Sequence, residues 1–99
     1  SIARNAFKEA FFRQGIVYMD LQEYNPAIKE FQKVIEIDSE HILSYAYLGK
    51  AFLLEKNYKE ALQSFESYLR LNPKQSPERA DIMEAVSHLK EKVRLSSSR

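Results

Sequence analysis

His41 and His88 are the two imidazoles of the chain, and metal binding or general-base chemistry would have to start from them. They lie far apart in sequence, and neither has a partner at the spacing by which a helix or turn holds a metal ion. Glu36, Asp38 and Glu40 crowd around one turn, the arrangement that paired acid and base work would need. A simpler reading accounts for them: carboxylates are favoured near the positive end of the helix that follows. With no Cys, the chain has no thiolate nucleophile, no disulfide and no sulfur-ligated zinc. No glycine-rich loop opens a helix to cradle a phosphate. We therefore expect a protein that is not an enzyme, with no catalytic residues, no metal site and no cofactor, and with both histidines on solvated surface.

Charge narrows the partners further. Lys90, Lys92, Arg94 and Arg99 form a basic run, but Glu91 interrupts it and no aromatic platform accompanies it, so it reads as a solvated helix end. Across the chain 15 basic residues face 14 acidic ones, a net charge of +1 that creates no field for nucleic acid or an anionic membrane. No apolar run approaches the roughly 18 residues of a membrane span. Nucleic acid and direct membrane contact are not expected. The lack of Cys fits a reducing cytosol and a secreted compartment alike, which leaves the location open with the cytoplasm slightly favoured. The chain opens on Ser rather than Met, which points to a piece of a longer protein.

The elements that position these residues follow from a repeat. Phe11 matches Tyr45, Gly15 matches Gly49, Tyr18 matches Phe52, Tyr24 matches Tyr58, Ala27 matches Ala61, Phe31 matches Phe65 and Ile37 matches Leu71. All share one offset of 34 residues, as from Gly15 to Gly49. A fixed period of this length marks a stacked helical solenoid. Within each unit the apolar steps of three and four describe two helices, and 2 Gly and 3 Pro in 99 residues leave little turn-forming material for anything but helices. The spacing predicts helices at about 3–22, 25–37, 41–55, 58–71 and 77–94. Asn25 with Pro26 is the expected N-cap and first-turn proline of the second helix, and Asn57 with Glu60 the expected capping box of the fourth. Ser76 and Pro77 should open the fifth, which carries Ile82, Val86, Leu89 and Val93 on one stripe and so reads as a cap on the array. The domain spans 1–95, with a frayed tail at 96–99.

Small and large residues alternate with physical purpose. Gly15 and Ala27 remove bulk where two antiparallel helices must approach to about 8–10 Å, and Tyr18, Tyr24 and Phe31 fill the space around that contact. Together these residues resemble the tetratricopeptide repeat family, with units at 8–41 and 42–75 and a capping helix at 77–94. The second unit carries the pattern at Tyr45, Leu48, Gly49, Phe52, Tyr58, Ala61, Phe65 and Pro73, whereas the first departs from it at Gln14, Val34 and Ser39. The resemblance implies an all-α, right-handed α-solenoid of antiparallel helix pairs.

It also implies where a partner would bind. In such arrays the first helices of successive units line a concave groove, which here brings Phe12, Arg13, Ile16 and Met19 beside Tyr47, Lys50 and Leu54. Relatives that hold chaperone tails by a carboxylate clamp use Lys and Asn where this chain has Phe12, Ile16 and Tyr47, so a buried carboxylate would go unsatisfied. The expected partner is a protein or peptide with apolar anchors and one acidic residue for Arg13 and Lys50, bound by a non-catalytic scaffold. The alternative is a self-assembly module or a fragment of a longer array. Phe12, Ile16 and Met19 form a second apolar stripe on the first helix, beyond what its own hairpin buries, and that stripe is expected to lie in the groove or to be covered by an upstream repeat or by the segment from Ile2 to Phe7.

Overall fold

The computed structural model describes residues 1–97, which form five α-helices: α1 (Ile2–Asp20), α2 (Tyr24–Ile37), α3 (Ile42–Leu54), α4 (Tyr58–Leu71) and α5 (Pro77–Ser97). Each packs on its neighbour in sequence, so that α1 pairs with α2, α2 with α3, α3 with α4 and α4 with α5. The result is an all-α solenoid of two antiparallel helix pairs and a C-terminal capping helix, measuring 46 × 29 × 21 Å.

The amphipathic pattern decides which side of each helix is buried. α2 buries Ala27, Ile28, Phe31 and Val34, and α4 buries Ala61, Ser64, Phe65 and Tyr68, in both cases one face at steps of three and four. α3 is flanked by both α2 and α4, and accordingly buries Ser44, Ala46, Leu48, Gly49 and Ala51 around more of its circumference. α1 has only one close neighbour, and Gly15 is its one buried residue. The core is built in two clusters, one around Ala27, Ile28, Phe31, Leu48 and Ala51, the other around Ala46, Ala61, Phe65, Tyr68, Ile82, Val86 and Leu89. Phe52 packs against both and makes them continuous. Burying a side chain the size of Phe31 contributes about 1.5–3 kcal/mol, so a few such positions per unit set the stability of the array.

Helix ends differ from expectation in four places. α2 begins at Tyr24 with Glu23 as N-cap, so Asn25 and Pro26 lie inside the first turn; Pro26 is tolerated there because first-turn N–H groups have no intrahelical acceptor. Asn57 is the N-cap of α4, but its side chain makes no capping bond, and its carbonyl accepts from the Ala61 N–H at 3.0 Å. His41, expected on solvated surface, caps α3: its Nδ1 accepts the Ser44 N–H at 3.3 Å and lies 2.8 Å from Ser44 Oγ. α5 runs to Ser97, three residues past the expected end at Arg94, while Ser98 and Arg99 lie outside the described residues. Ser76 does open α5, its Oγ accepting from the Arg79 N–H at 3.0 Å, and Arg79 Nε donates to the Asn72 carbonyl at the end of α4.

Both pairs close through the same turn. Gln22 and Lys56 adopt left-handed φ angles of 60° and 62°. In the first turn the N–H of Gln22 donates to Met19 and that of Glu23 to Tyr18; in the second, Lys56 donates to Leu53 and Asn57 to Phe52. This pair of bonds satisfies carbonyls that the helix end would otherwise leave open.

Candidate functional site

Phe31 is fully buried on α2, and its ring organises the junction between the two helix pairs. The ring of Tyr47 stacks on it from α3 at 5.3 Å and 11°, while Phe12 from α1 meets it edge-on at 5.7 Å. Phe12 also meets Tyr47 edge-on at 5.9 Å and His41 at 4.8 Å. Such pairs contribute about 0.5–1.5 kcal/mol each beyond their area. They lock α1 against α3 and so fix the surface that the two helices share.

This arrangement changes the reading of the α1 stripe. Phe12, Ile16 and Met19 do not lie open; they are half-buried and pack against the cluster of Ala27, Ile28, Phe31, Leu48 and Ala51. Phe12 meets His41 and Tyr47 of the next unit, and the cluster that Ile16 and Met19 join draws on both α2 and α3, whereas Phe7 of the N-terminal segment is exposed and stacks on Phe11 instead. The physical reason is the step of the solenoid, which brings the Tyr47 ring of α3 onto Phe31 and against Phe12.

The exposed part of the site lies on α3. Leu43, Tyr47, Lys50 and Leu54 follow at i, i+4, i+7 and i+11, one helical face. Leu43 is 49% and Leu54 53% exposed, and Lys50 extends its ammonium over the Tyr47 ring at 5.4 Å from the centroid. Arg13 is exposed on α1, with Nε donating to the Glu9 carbonyl one turn earlier at 3.4 Å. Of the seven residues expected in the groove, Arg13, Lys50 and Leu54 are therefore free to contact a partner. Phe12, Ile16, Met19 and Tyr47 form the half-buried floor.

Electrostatics pin the end of this junction. Lys8 Nζ and Asp38 Oδ2 pair at 3.3 Å, tying α1 to the turn before α3, and Arg4 donates to the Ile37 carbonyl at 3.0 Å. Asp38 Oδ1 also accepts the Glu40 N–H, and that bond, helped by Lys8 and opposed by partial burial, holds its carboxyl below the ordinary value. The Asp38 carboxylate thus closes a turn, which replaces the helix-start preference expected for it. Burial under Phe12 lowers the pKa of His41, and the charge of Asp38 only partly offsets this. A neutral imidazole is what the α3 cap requires, because only an unprotonated Nδ1 can accept. Sequence reasoning passed over His41 and Lys8. The signal for His41 was its position just before an apolar-periodic helix, where a side-chain acceptor is favoured.

Two matches to the Tetratricopeptide repeat cover residues 8–41 and 43–75, most of the chain. The chain belongs to the tetratricopeptide repeat family. Among relatives, the human Tetratricopeptide repeat protein 12 is 26% identical over 93 residues, covering 82% of this chain and 13% of that protein. The human Superkiller complex protein 3 is 30% identical over 66 residues and its mouse counterpart 29% over 68, covering 67% and 69% of this chain. The chain spans only 4% of the length of either. Tetratricopeptide repeat proteins are in general non-catalytic scaffolds for protein–protein interaction, and the match supports that general role here. Among the described residues no cluster of His, Asp or Glu could hold a metal ion, and no helix is long and apolar enough to cross a membrane.

Proposed function

We propose that the face shared by α1 and α3 binds an extended or helical segment of a partner protein, with apolar anchors set on Leu54, Leu43 and the floor of Ile16, Met19 and Tyr47. An acidic side chain of the partner pairs with Arg13 or Lys50. The observation that carries this reading is the row on α3, where two leucines about half exposed flank an ammonium held over an aromatic ring. Leaving that apolar surface in water has a cost that a partner removes, and the lysine supplies a charge that fixes its register.

Phe12 and Ile16 offer no donor for a terminal carboxylate and Tyr47 only a neutral hydroxyl, so recognition runs through side chains of the partner and not through its C-terminus. Selection from a displayed peptide library tests this. Selected peptides are expected to share apolar anchors with an acidic residue between them, and to lose at least tenfold in affinity for Leu54→Glu and Lys50→Glu. Peptides that bind both variants as tightly as the wild type would overturn the proposal.

A further inference from the structure

α3 presents a second surface, on the side opposite Leu43, Tyr47, Lys50 and Leu54. There Tyr45, Leu48 and Phe52 recur at steps of three and four, and with Ile35 of α2 they line a cleft of about 290 Å³ between α2 and α4. Leu48 is buried and the other three are half-buried, which gives the cleft an apolar floor within reach of solvent. A second hollow, lined by Gln32, Ile35 and Glu36, adjoins it along α2.

The rim has a different character. Glu60, Gln63, Ser64 and Ser67 border the cleft from α4, and Gln32 borders both hollows from α2. Ser64 Oγ donates to the Glu60 carbonyl at 3.0 Å, which leaves its lone pairs open to accept. Among the described residues the side chains of Gln32, Glu36, Glu60, Gln63 and Ser67 take part in no hydrogen bond or ion pair. Each hollow therefore carries one unpaired carboxylate, Glu60 in the first and Glu36 in the second, and among the described residues no lysine or arginine lines either.

That combination selects its occupant. An apolar floor alone would take any hydrophobic side chain, but two unpaired carboxylates repel an acidic segment and gain nothing from a neutral one. Arginine meets both parts of the cleft: its aliphatic stem covers apolar surface, while its planar guanidinium donates to carboxylate and hydroxyl oxygens together. We propose that the cleft between α2 and α4 binds an extended segment of a partner protein through one arginine, whose stem lies on Ile35, Leu48 and Phe52 and whose guanidinium pairs with Glu60 and Ser64 Oγ. Gln32, Gln63 and Ser67 bond to the peptide backbone beside it, and Glu36 adds attraction for positive charge. This site is independent of the groove on α1 and α3, which calls for a partner of the opposite charge.

The test is enrichment, on the 99-residue protein, of a displayed library of short peptides with arginine fixed at the centre, followed by fluorescence anisotropy of the enriched peptides. Affinity should fall at least tenfold when the arginine becomes citrulline, its uncharged isostere, and when the protein carries Glu60→Gln. Gln63→Ala, at an exposed position, should weaken binding without disturbing the fold. Glu84→Gln on α5, which removes a carboxylate elsewhere, and Leu54→Ser in the groove should leave binding unchanged. A library that yields no binder, binding indifferent to citrulline or to Glu60→Gln, or binding lost with Leu54→Ser overturns the proposal. So does light scattering in which the apparent mass of the wild type doubles with concentration and Gln63→Arg prevents it, since a second copy would then occupy the cleft.

Discussion

A Cβ on Gly49 would collide with Cε1 of Phe65, and one on Gly15 would lie 2.6 Å from Cε1 of Phe31. Glycine stands at both positions because an aromatic ring from the partner helix occupies the place of a side chain. The contact is what brings each hairpin together. Alanine is the better helix former by about 1 kcal/mol, yet the buried ring cannot give way cheaply. Gly49→Ala is expected to destabilise the protein by about 1–3 kcal/mol, read as a lowered urea midpoint. A midpoint equal to or above that of the wild type would show that Phe65 can swing aside.

The turns after α1 and α3 predict the opposite effect. Gln22 and Lys56 hold left-handed φ, which costs a residue with a Cβ about 1–2 kcal/mol. Glycine removes that cost but adds freedom to the unfolded chain, which returns part of it. Gln22→Gly and Lys56→Gly should each stabilise by about 0.5–1 kcal/mol, and the two should add because they lie in different turns. Thermal melts of the single and double variants check this, and a fall in melting temperature would contradict it.

Much of this architecture was legible in the sequence because the packing rules are local. Gly15, Ala27 and Phe31 recur as Gly49, Ala61 and Phe65, and each set is explained by one helix contact. The helix starts were harder. Asn25 with Pro26 looked like a cap, but the left-handed turn at Gln22 delivers the chain one residue earlier, and nothing about a glutamine announces that conformation. The α1 stripe was read correctly as apolar, but its packing on a cluster that α2 and α3 share depends on the step between pairs, a quantity that no single helix encodes. His41 was missed because its capping bond requires a neutral ring, and burial under Phe12, remote in sequence, is what keeps it neutral.

That ring gives the protein a pH dependence. The folded-state pKa of His41 is depressed, so the unfolded chain takes up its proton first as pH falls through the ordinary value of 6.5, and stability declines until the folded value is passed. Asp38 is also depressed, so a second loss begins below its ordinary 3.8. Denaturation from about pH 2 to about pH 8, a range that spans the ordinary carboxyl and imidazole values, should show both declines in the wild type. His41→Asn keeps a capping acceptor and should abolish the first decline while leaving the more acidic one. Identical profiles for both proteins near pH 6 would remove His41 from the account.

Floor and rim of the groove should separate under substitution. Ile16 packs against the core cluster, so Ile16→Glu places a carboxylate in a half-dry contact and should destabilise by about 1–3 kcal/mol. Leu54 is about half exposed, and Leu54→Glu should stay within about 0.5 kcal/mol. Circular dichroism melts of the two variants read the difference directly. Equal stability would mean that Ile16 is not packed in the cluster that α2 and α3 share.

The central claim, that a partner segment lies across α1 and α3, is tested most directly by amide chemical-shift mapping of the labelled protein with a selected peptide. The account predicts perturbations concentrated at Arg13, Ile16, Tyr47, Lys50 and Leu54, with little change at Gln32, Ile35, Gln63 and Ser67 on α2 and α4. Perturbations centred on those four α2 and α4 positions, with α1 and α3 unmoved, would contradict it.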